Sequence, residues 1–193
     1  MKSIWNKQKR SDKGSDYVCE TLGSLFITPC ITRWNSFFNS TARFASFIVR
    51  KPTALKQVFK HFDADYFRPA EEGFLLEYVK IVRPIAEALD VLQGDLKISV
   101  GYLLPTLTIL KSKLRKLDSQ NPKHCKPMLR EILRSIDRRF GSYFTDRELR
   151  LASMVHPRFK LSWLPDDERA SWEEFLRDEF IAELDHGEHV SLL

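Results

Sequence analysis

The sequence predicts a mainly α-helical fold with at most one short strand. Three observations carry this reading. Apolar residues recur at offsets of 3 and 4 in segment after segment, Pro and Gly stand at the boundaries of those segments, and only one short run reads as extended. With 193 residues, 43% hydrophobic and 12% aromatic, the chain can bury one sizeable core or the greater part of one.

Residues 1–14 are polar and basic without an apolar period, which predicts a connecting segment or frayed end. A helical region is expected over 15–164, followed by an acidic helix and tail over 165–193. Ser15 is placed to cap a short helix over 16–24, and Leu25-Phe26-Ile27-Thr28 before Pro29 is the extended run. From a cap at Thr32 the pattern becomes helical through Trp34, Phe37, Phe38, Thr41, Phe44, Ala45 and Ile48, and Phe37, Phe38, Phe44 and Phe47 read as core or interface. Pro52 opens the next helix, with Leu55, Val58, Phe59 and Phe62 on its apolar side.

The longest pattern, about 70–93, carries two adjacent stripes. Leu75, Val79, Val82, Ala86 and Leu89 form one, and Phe74, Ile81, Ile85 and Leu92 the other; Glu77, Lys80, Arg83, Glu87 and Asp90 form a wet strip opposite. Pro84 is expected to kink this helix. After Gly94, a leucine series from Leu103 to Leu117 defines a helix, Leu129, Ile132, Leu133, Ile136 and Phe140 define another, and Trp172, Phe175, Leu176 and Phe180 define the last. The carboxylates of Asp166, Asp167 and Glu168 suit that helix's positive N-terminal end. The total is six to eight helices.

Charge is distributed in blocks. Residues 1–60 carry 11 Lys+Arg against 3 Asp+Glu, 61–110 carry 4 against 8, 111–160 carry 14 against 5, and 161–193 carry 2 against 10. Basic blocks of this kind favour polyanions or acidic surfaces as partners. No run is apolar enough for a membrane helix, and the charged N-terminus is unlike a secretory signal, so an intracellular protein without a membrane partner is expected. Cys19, Cys30 and Cys125 form no CxxC pair, and the histidines lack a second ligand pair, so neither a disulfide framework nor a zinc site is expected. No phosphate-binding loop or nucleophile motif is present; no cofactor, small-molecule substrate or catalytic residue is assigned. Asp63 and Asp65 read as turn residues, and three adjacent acids at 166–168 point in different directions rather than to shared metals.

One ordered set of motifs is more informative. Trp5-Asn6-Lys7-Gln8-Lys9-Arg10-Ser11, then Thr32-Arg33-Trp34-Asn35-Ser36, Arg83-Pro84, Leu92-Gln93-Gly94-Asp95, Pro105 with Leu110, and Leu151-Ala152-Ser153-Met154-Val155-His156-Pro157-Arg158-Phe159-Lys160 succeed one another over residues 4–164. This succession resembles the hAT transposases and their domesticated relatives, with His156 where the pattern usually has Asp. The resemblance implies a ribonuclease-H-like enzyme interrupted by a helical insertion, with this chain corresponding to the insertion portion. It also implies that the chain begins after the strands bearing two catalytic acids and stops before the helix bearing the third. The expected protein is therefore a catalytically incomplete, transposable-element-derived fragment that acts in the nucleus, with DNA or related transposase-derived chains as partners.

Six residues are the candidate DNA contacts. The resemblance places Arg33 and Trp34 facing the DNA end, the arginine on phosphate and the indole on an exposed base. In their own right, Trp34 opens an apolar stripe and Arg33 is able to cover its ring. Lys126, Arg130, Arg134 and Arg138 recur every four residues along one helix flank, a ridge suited to a duplex backbone, although a solvated face is the more frequent meaning of such a pattern. Arg139, Arg147 and Arg150 add charge nearby. The alternative function is a helical protein-interaction module without nucleic-acid binding.

Overall fold

The computed structural model describes residues 1–30, 34–94 and 100–190, the side chains of Lys2, Trp34 and 183–190 excepted. Among the described residues the fold is all-helical. The nine helices are α1 (Lys2–Lys9), α2 (Asp12–Leu22), α3 (Trp34–Arg50), α4 (Pro52–His61), α5 (Pro69–Leu92), α6 (Leu103–Ser119), α7 (Lys126–Phe140), α8 (Arg147–Met154) and α9 (Asp166–Val190). Short 3₁₀ turns at Val100–Tyr102 and Gly141–Phe144 precede α6 and α8. Two compact units result: Met1–Glu87 with Leu117–Leu129, and Ala88–Lys116 with Arg130–Leu193. No described helix is long and apolar enough to cross a membrane.

The first unit corrects the reading of its N-terminus. Residues 1–14 contain α1 and the start of α2, and Ile4, Trp5 and Gln8 are buried. Positions 4, 5 and 8 share one helical face, but a helix of two turns shows too few repeats for a period to be visible. The cap of α2 is Ser11, whose Oγ accepts from the Gly14 N–H at 3.4 Å, while Ser15 lies inside the helix and donates to the Gln8 carbonyl at 3.0 Å. Lys7 Nζ donates to the carbonyls of Phe62 and Asp63 beyond α4, and Lys51 Nζ to the Leu22 carbonyl at 2.8 Å. Both ammonium groups thus sit where helix C-termini concentrate negative charge. Gly23, at φ 74°, ends α2 in the left-handed conformation that lets its N–H reach the Cys19 carbonyl at 2.7 Å.

Leu25–Thr28 forms no strand among the described residues. Its place in the unit is fixed by Phe26, which is 3% exposed and stacks on Phe44 with ring centroids 5.0 Å apart. Phe44, fully buried on α3, also meets Phe59 and Phe67 edge-on at 6.0 and 5.5 Å. Such edge-to-face pairs add to the area that burial removes from water. Phe38 and Phe47 are buried as expected, whereas Phe37 is 43% exposed. The cap expected at Thr32 lies outside the described residues.

In α5, Leu75, Val79, Val82 and Ala86 of the first stripe are buried but only Ile81 of the second; Ile85, Leu89 and Leu92 are half-buried and Phe74 is exposed. Glu77 departs from the wet strip assigned to it. Its carboxylate accepts the N–H groups of Lys123, His124 and Cys125 at 2.8, 2.7 and 3.0 Å, holding the three residues that lead into α7, the last of them its N-cap, from 46–48 residues away. The Cys125 Sγ, buried beside it, donates to the Phe74 carbonyl at 3.7 Å. Partial burial alone would raise the Glu77 pKa, but the backbone donors of residues 123–125 and the nearby His124 outweigh it and hold the carboxyl below its ordinary value. The Cys125 thiol is pushed up, first by burial and then by Glu77.

In the second unit, α8 is a separate helix beyond those expected from the periodicity, and with α1 it brings the number of described helices to nine. Asp146 caps it by accepting the Leu149 N–H at 2.9 Å. The helix lies so close to the turn at Val100–Tyr102 that a Cβ on Gly101 would stand 2.4 Å from the Ala152 carbonyl oxygen. Leu104, Met154, Trp163, Leu164 and Trp172 form the local core, with the two indoles edge to face at 5.3 Å. In α9, Trp172 is buried and Phe175 and Leu176 half-buried, but Phe180 is 60% exposed rather than packed.

Both the Glu77 cap and the Gly101 approach can be tested by substitution. Glu77→Ala should cost about 0.5–2 kcal/mol, the range for losing a side-chain acceptor at a helix start, in urea unfolding. Because the folded pKa is lowered, this contribution is complete above the ordinary glutamate value of 4.5 and is lost as pH falls through the folded value. Parent and variant stabilities should therefore converge in acid, and a gap that stays constant as pH is lowered well below 4.5 would contradict the assignment. Gly101→Ala should cost about 1–3 kcal/mol, since the obstacle is backbone and not a side chain that can turn away; an unchanged midpoint would show that the turn and α8 separate freely.

Candidate nucleic-acid interface

The six candidate residues do not form one described cluster. Arg33 lies outside the described residues, and so does the side chain of Trp34, whose backbone opens α3. Lys126 is half-buried in the first unit and donates to Asn121 Oδ1. Arg130, Arg134 and Arg138 belong to the second unit. All three are exposed on α7, while Ile132 and Leu133 are half-buried and Ile136 is buried. The four-residue spacing advances about 6 Å per step along a helix while turning little about its axis, so the three guanidinium stems rise from one flank.

The acids of this part of α7 are engaged. Arg134 pairs with Glu131 at 2.7 Å one turn away, and Asp137 pairs with Lys111 of α6 at 2.6 Å. Exposed pairs of this kind contribute little to stability, yet they reduce the repulsion such carboxylates would offer an approaching anion. Arg138 and the adjacent Arg139 are exposed, and neither has a carboxylate partner among the described residues.

Two arginines grouped with the ridge by sequence serve the packing of α8 on α9 instead. Arg147 forks onto Glu179, Nε lying 2.9 Å from both carboxylate oxygens and Nη2 2.5 Å from Oε2. That hydrogen bonding, opposed by some desolvation and aided by the charges of Arg147 and Arg150, lowers the Glu179 pKa. Arg150 lies over Trp172 and Phe175, its guanidinium carbon 4.3 and 3.8 Å from the ring centroids. Burial lowers its pKa against the pull of Glu179. A guanidinium stacked on two rings is held by cation–π attraction and is not presented to a ligand.

The motif at residues 151–160 gains a physical account. His156 Nδ1 accepts the N–H of Arg158 at 3.2 Å, the two-residue turn that an Asp side chain often makes. His156 thus supplies the acceptor where the resembling pattern has Asp. Its ring also meets Tyr102 and Phe159 at 4.9 and 5.1 Å, and the Arg158 guanidinium lies 5.8 and 5.7 Å from the same two rings.

The remaining acids and cavities offer no reaction centre among the described residues. Asp63 and Asp65 are exposed, Asp63 with φ 47° where the chain leaves α4, and Asp166 pairs with Arg169 at 2.9 Å. No three described His, Cys, Asp or Glu side chains gather as a metal-ligand set. A cavity of about 270 Å³ in the first unit is lined by Glu77, Lys80, Ile81, Leu117, Gln120 and Lys123, but its carboxylate is committed to the backbone and Lys80 to Gln120. No family model, curated protein or solved structure matches the chain.

The role of His156 is open to test. His156→Ala should lower stability by about 0.5–1.5 kcal/mol, the net value of one intramolecular hydrogen bond. His156→Asp restores the turn acceptor without the ring contacts, so its urea midpoint should fall between the parent and the alanine variant. Equal losses in both variants would remove the turn hydrogen bond from the account.

Proposed function

We propose that this chain is a helical, transposase-derived module of hAT type that binds the DNA backbone through α7 and does not itself cut or join DNA. The observation that carries the proposal is the exposure of Arg130, Arg134 and Arg138 at one-turn spacing on a helix whose other side faces the core. Guanidinium groups in this arrangement neutralise phosphates, release their counterions and fix a protein on a duplex without reading its sequence. The ordered motifs from Trp5 to Lys160 supply the hAT part of the reading, and a role on DNA implies work in the nucleus. The absence of chemistry is proposed because the acids most suggestive in sequence are a turn pair and a helix start, neither held as a convergent group.

A second reading is favoured by α9, where Phe180 and Ile181 are exposed on an acid-rich helix, as a protein-interaction module would present them. One experiment separates the two. With a labelled duplex of about 20 base pairs, log K should fall linearly with log salt for the parent, and Arg130→Gln/Arg134→Gln/Arg138→Gln should flatten the slope by about 0.9 for each phosphate no longer neutralised, for duplexes of unrelated sequence alike. Added Mg²⁺ should leave the duplex uncut. A folded triple variant with an unchanged slope, or a parent that fails to bind at low salt, would favour the interaction module.

A further inference from the structure

The segment at residues 24–28 is held along one edge by a single side chain. Gln8, itself buried, places its side-chain amide against one residue: Oε1 accepts the Phe26 N–H at 2.9 Å, and Nε2 donates to the Phe26 carbonyl at 3.1 Å. A single carboxamide reaches the N–H and C=O of the same residue only where those two groups point the same way, as they do in extended backbone. Pro29 holds Thr28 in the extended range as well. Burial alternates accordingly, with Leu25 42% exposed, Phe26 3% and Ile27 38%. Gln8 therefore takes the position of a neighbouring strand on one edge.

The opposite edge is uncovered. In an extended chain the N–H and C=O groups of successive residues alternate between the two edges, so those of Leu25 and Ile27 face away from Gln8. Neither residue has a backbone hydrogen bond among the described residues. The apolar side chains of the same two residues are half in solvent beside it. Donors and acceptors alternating at this spacing, with an apolar flank, are complementary to one chemical object: another extended polypeptide.

We infer that Leu25–Thr28 is a docking edge for an extended, acid-flanked peptide strand of a partner protein, which adds to it by backbone pairing. Charge selects this occupant over a second copy of the chain. Residues 21–62 contain six Lys or Arg and no Asp or Glu, and Lys51 is fixed at the Leu22 carbonyl where the segment begins. Two such edges brought together would set like charges against each other, whereas a strand flanked by glutamates would be attracted. This inference concerns the first unit and is independent of DNA binding by α7.

The probe is a fluorescein-labelled nonapeptide of alternating valine and threonine with glutamates at both ends, titrated into the full chain and followed by anisotropy. Binding should bring hydrogen-exchange protection to the Leu25 and Ile27 amides. Ile27→Pro, which removes an outward donor at an exposed position, should weaken binding by roughly tenfold, about 1.4 kcal/mol, with the helical circular dichroism unchanged. Two peptides N-methylated on alternate amides provide a test that requires no variant to fold. Methylation of the edge-facing set should abolish binding, methylation of the other set should preserve it, and lysine flanks should weaken it. The inference is overturned if the parent does not bind the peptide at millimolar concentration, if both methylated peptides bind alike, or if folded Ile27→Pro keeps the parent affinity. It is also overturned if sedimentation shows a dimer that Ile27→Pro dissociates, since the occupant would then be a second copy.

Discussion

The carboxylate of Glu77 ties together the two stretches of chain that make the first unit. That unit is assembled from two stretches of chain, 1–87 and 117–129, and three N–H groups at the start of α7 converge on this one side chain. The underlying constraint is general, because a helix leaves four donors at one end and four acceptors at the other without internal partners. Chains built from many short helices meet it often. Here it is met locally by Ser11 and Asp146, and over distance by Lys7, Lys51 and Glu77, so that satisfying a helix end also fixes where another element must lie.

The same economy of charged groups divides the arginines. Those of α8 are absorbed by the acids and aromatics of α9, where a bidentate fork and a double cation–π stack give the packing of two amphipathic helices a definite register. Arg130, Arg134 and Arg138 are exposed on α7, Arg134 with a carboxylate of its own helix, Glu131, beside it. A segment total of positive charge therefore overstates what is available to a ligand, because part of it is engaged in packing α8 against α9.

The helices are legible in the sequence because the 3.6-residue period repeats several times in α3, α5, α6 and α7, and Pro52 and Gly94 mark real boundaries. What escapes has physical reasons. In α1 the pattern lasts only two turns. Phe37, Phe74 and Phe180 occupy apolar stripes, but a stripe records which residues avoid water and not whether another element arrives to cover all of them. Glu77 reads as a solvent residue because its partners lie 46–48 positions away, and Arg147 reads as part of a ridge because Glu179 lies 32 positions away. Of the candidate site, the one-sided geometry of Arg130, Arg134 and Arg138 is readable from spacing alone, whereas the pairing of Lys126 with Asn121 depends on the turn between α6 and α7.

The setting of Cys125 has a kinetic consequence. Cys19 and Cys30 are exposed, while Cys125 is buried beneath the Glu77 cap with its thiol held in the protonated, unreactive form. A thiol reagent should label two positions at once and the third only as fast as the junction between α5 and the start of α7 opens. The rate of that third modification is thus a built-in clock for local unfolding, reporting on the Glu77 contact without any engineered probe.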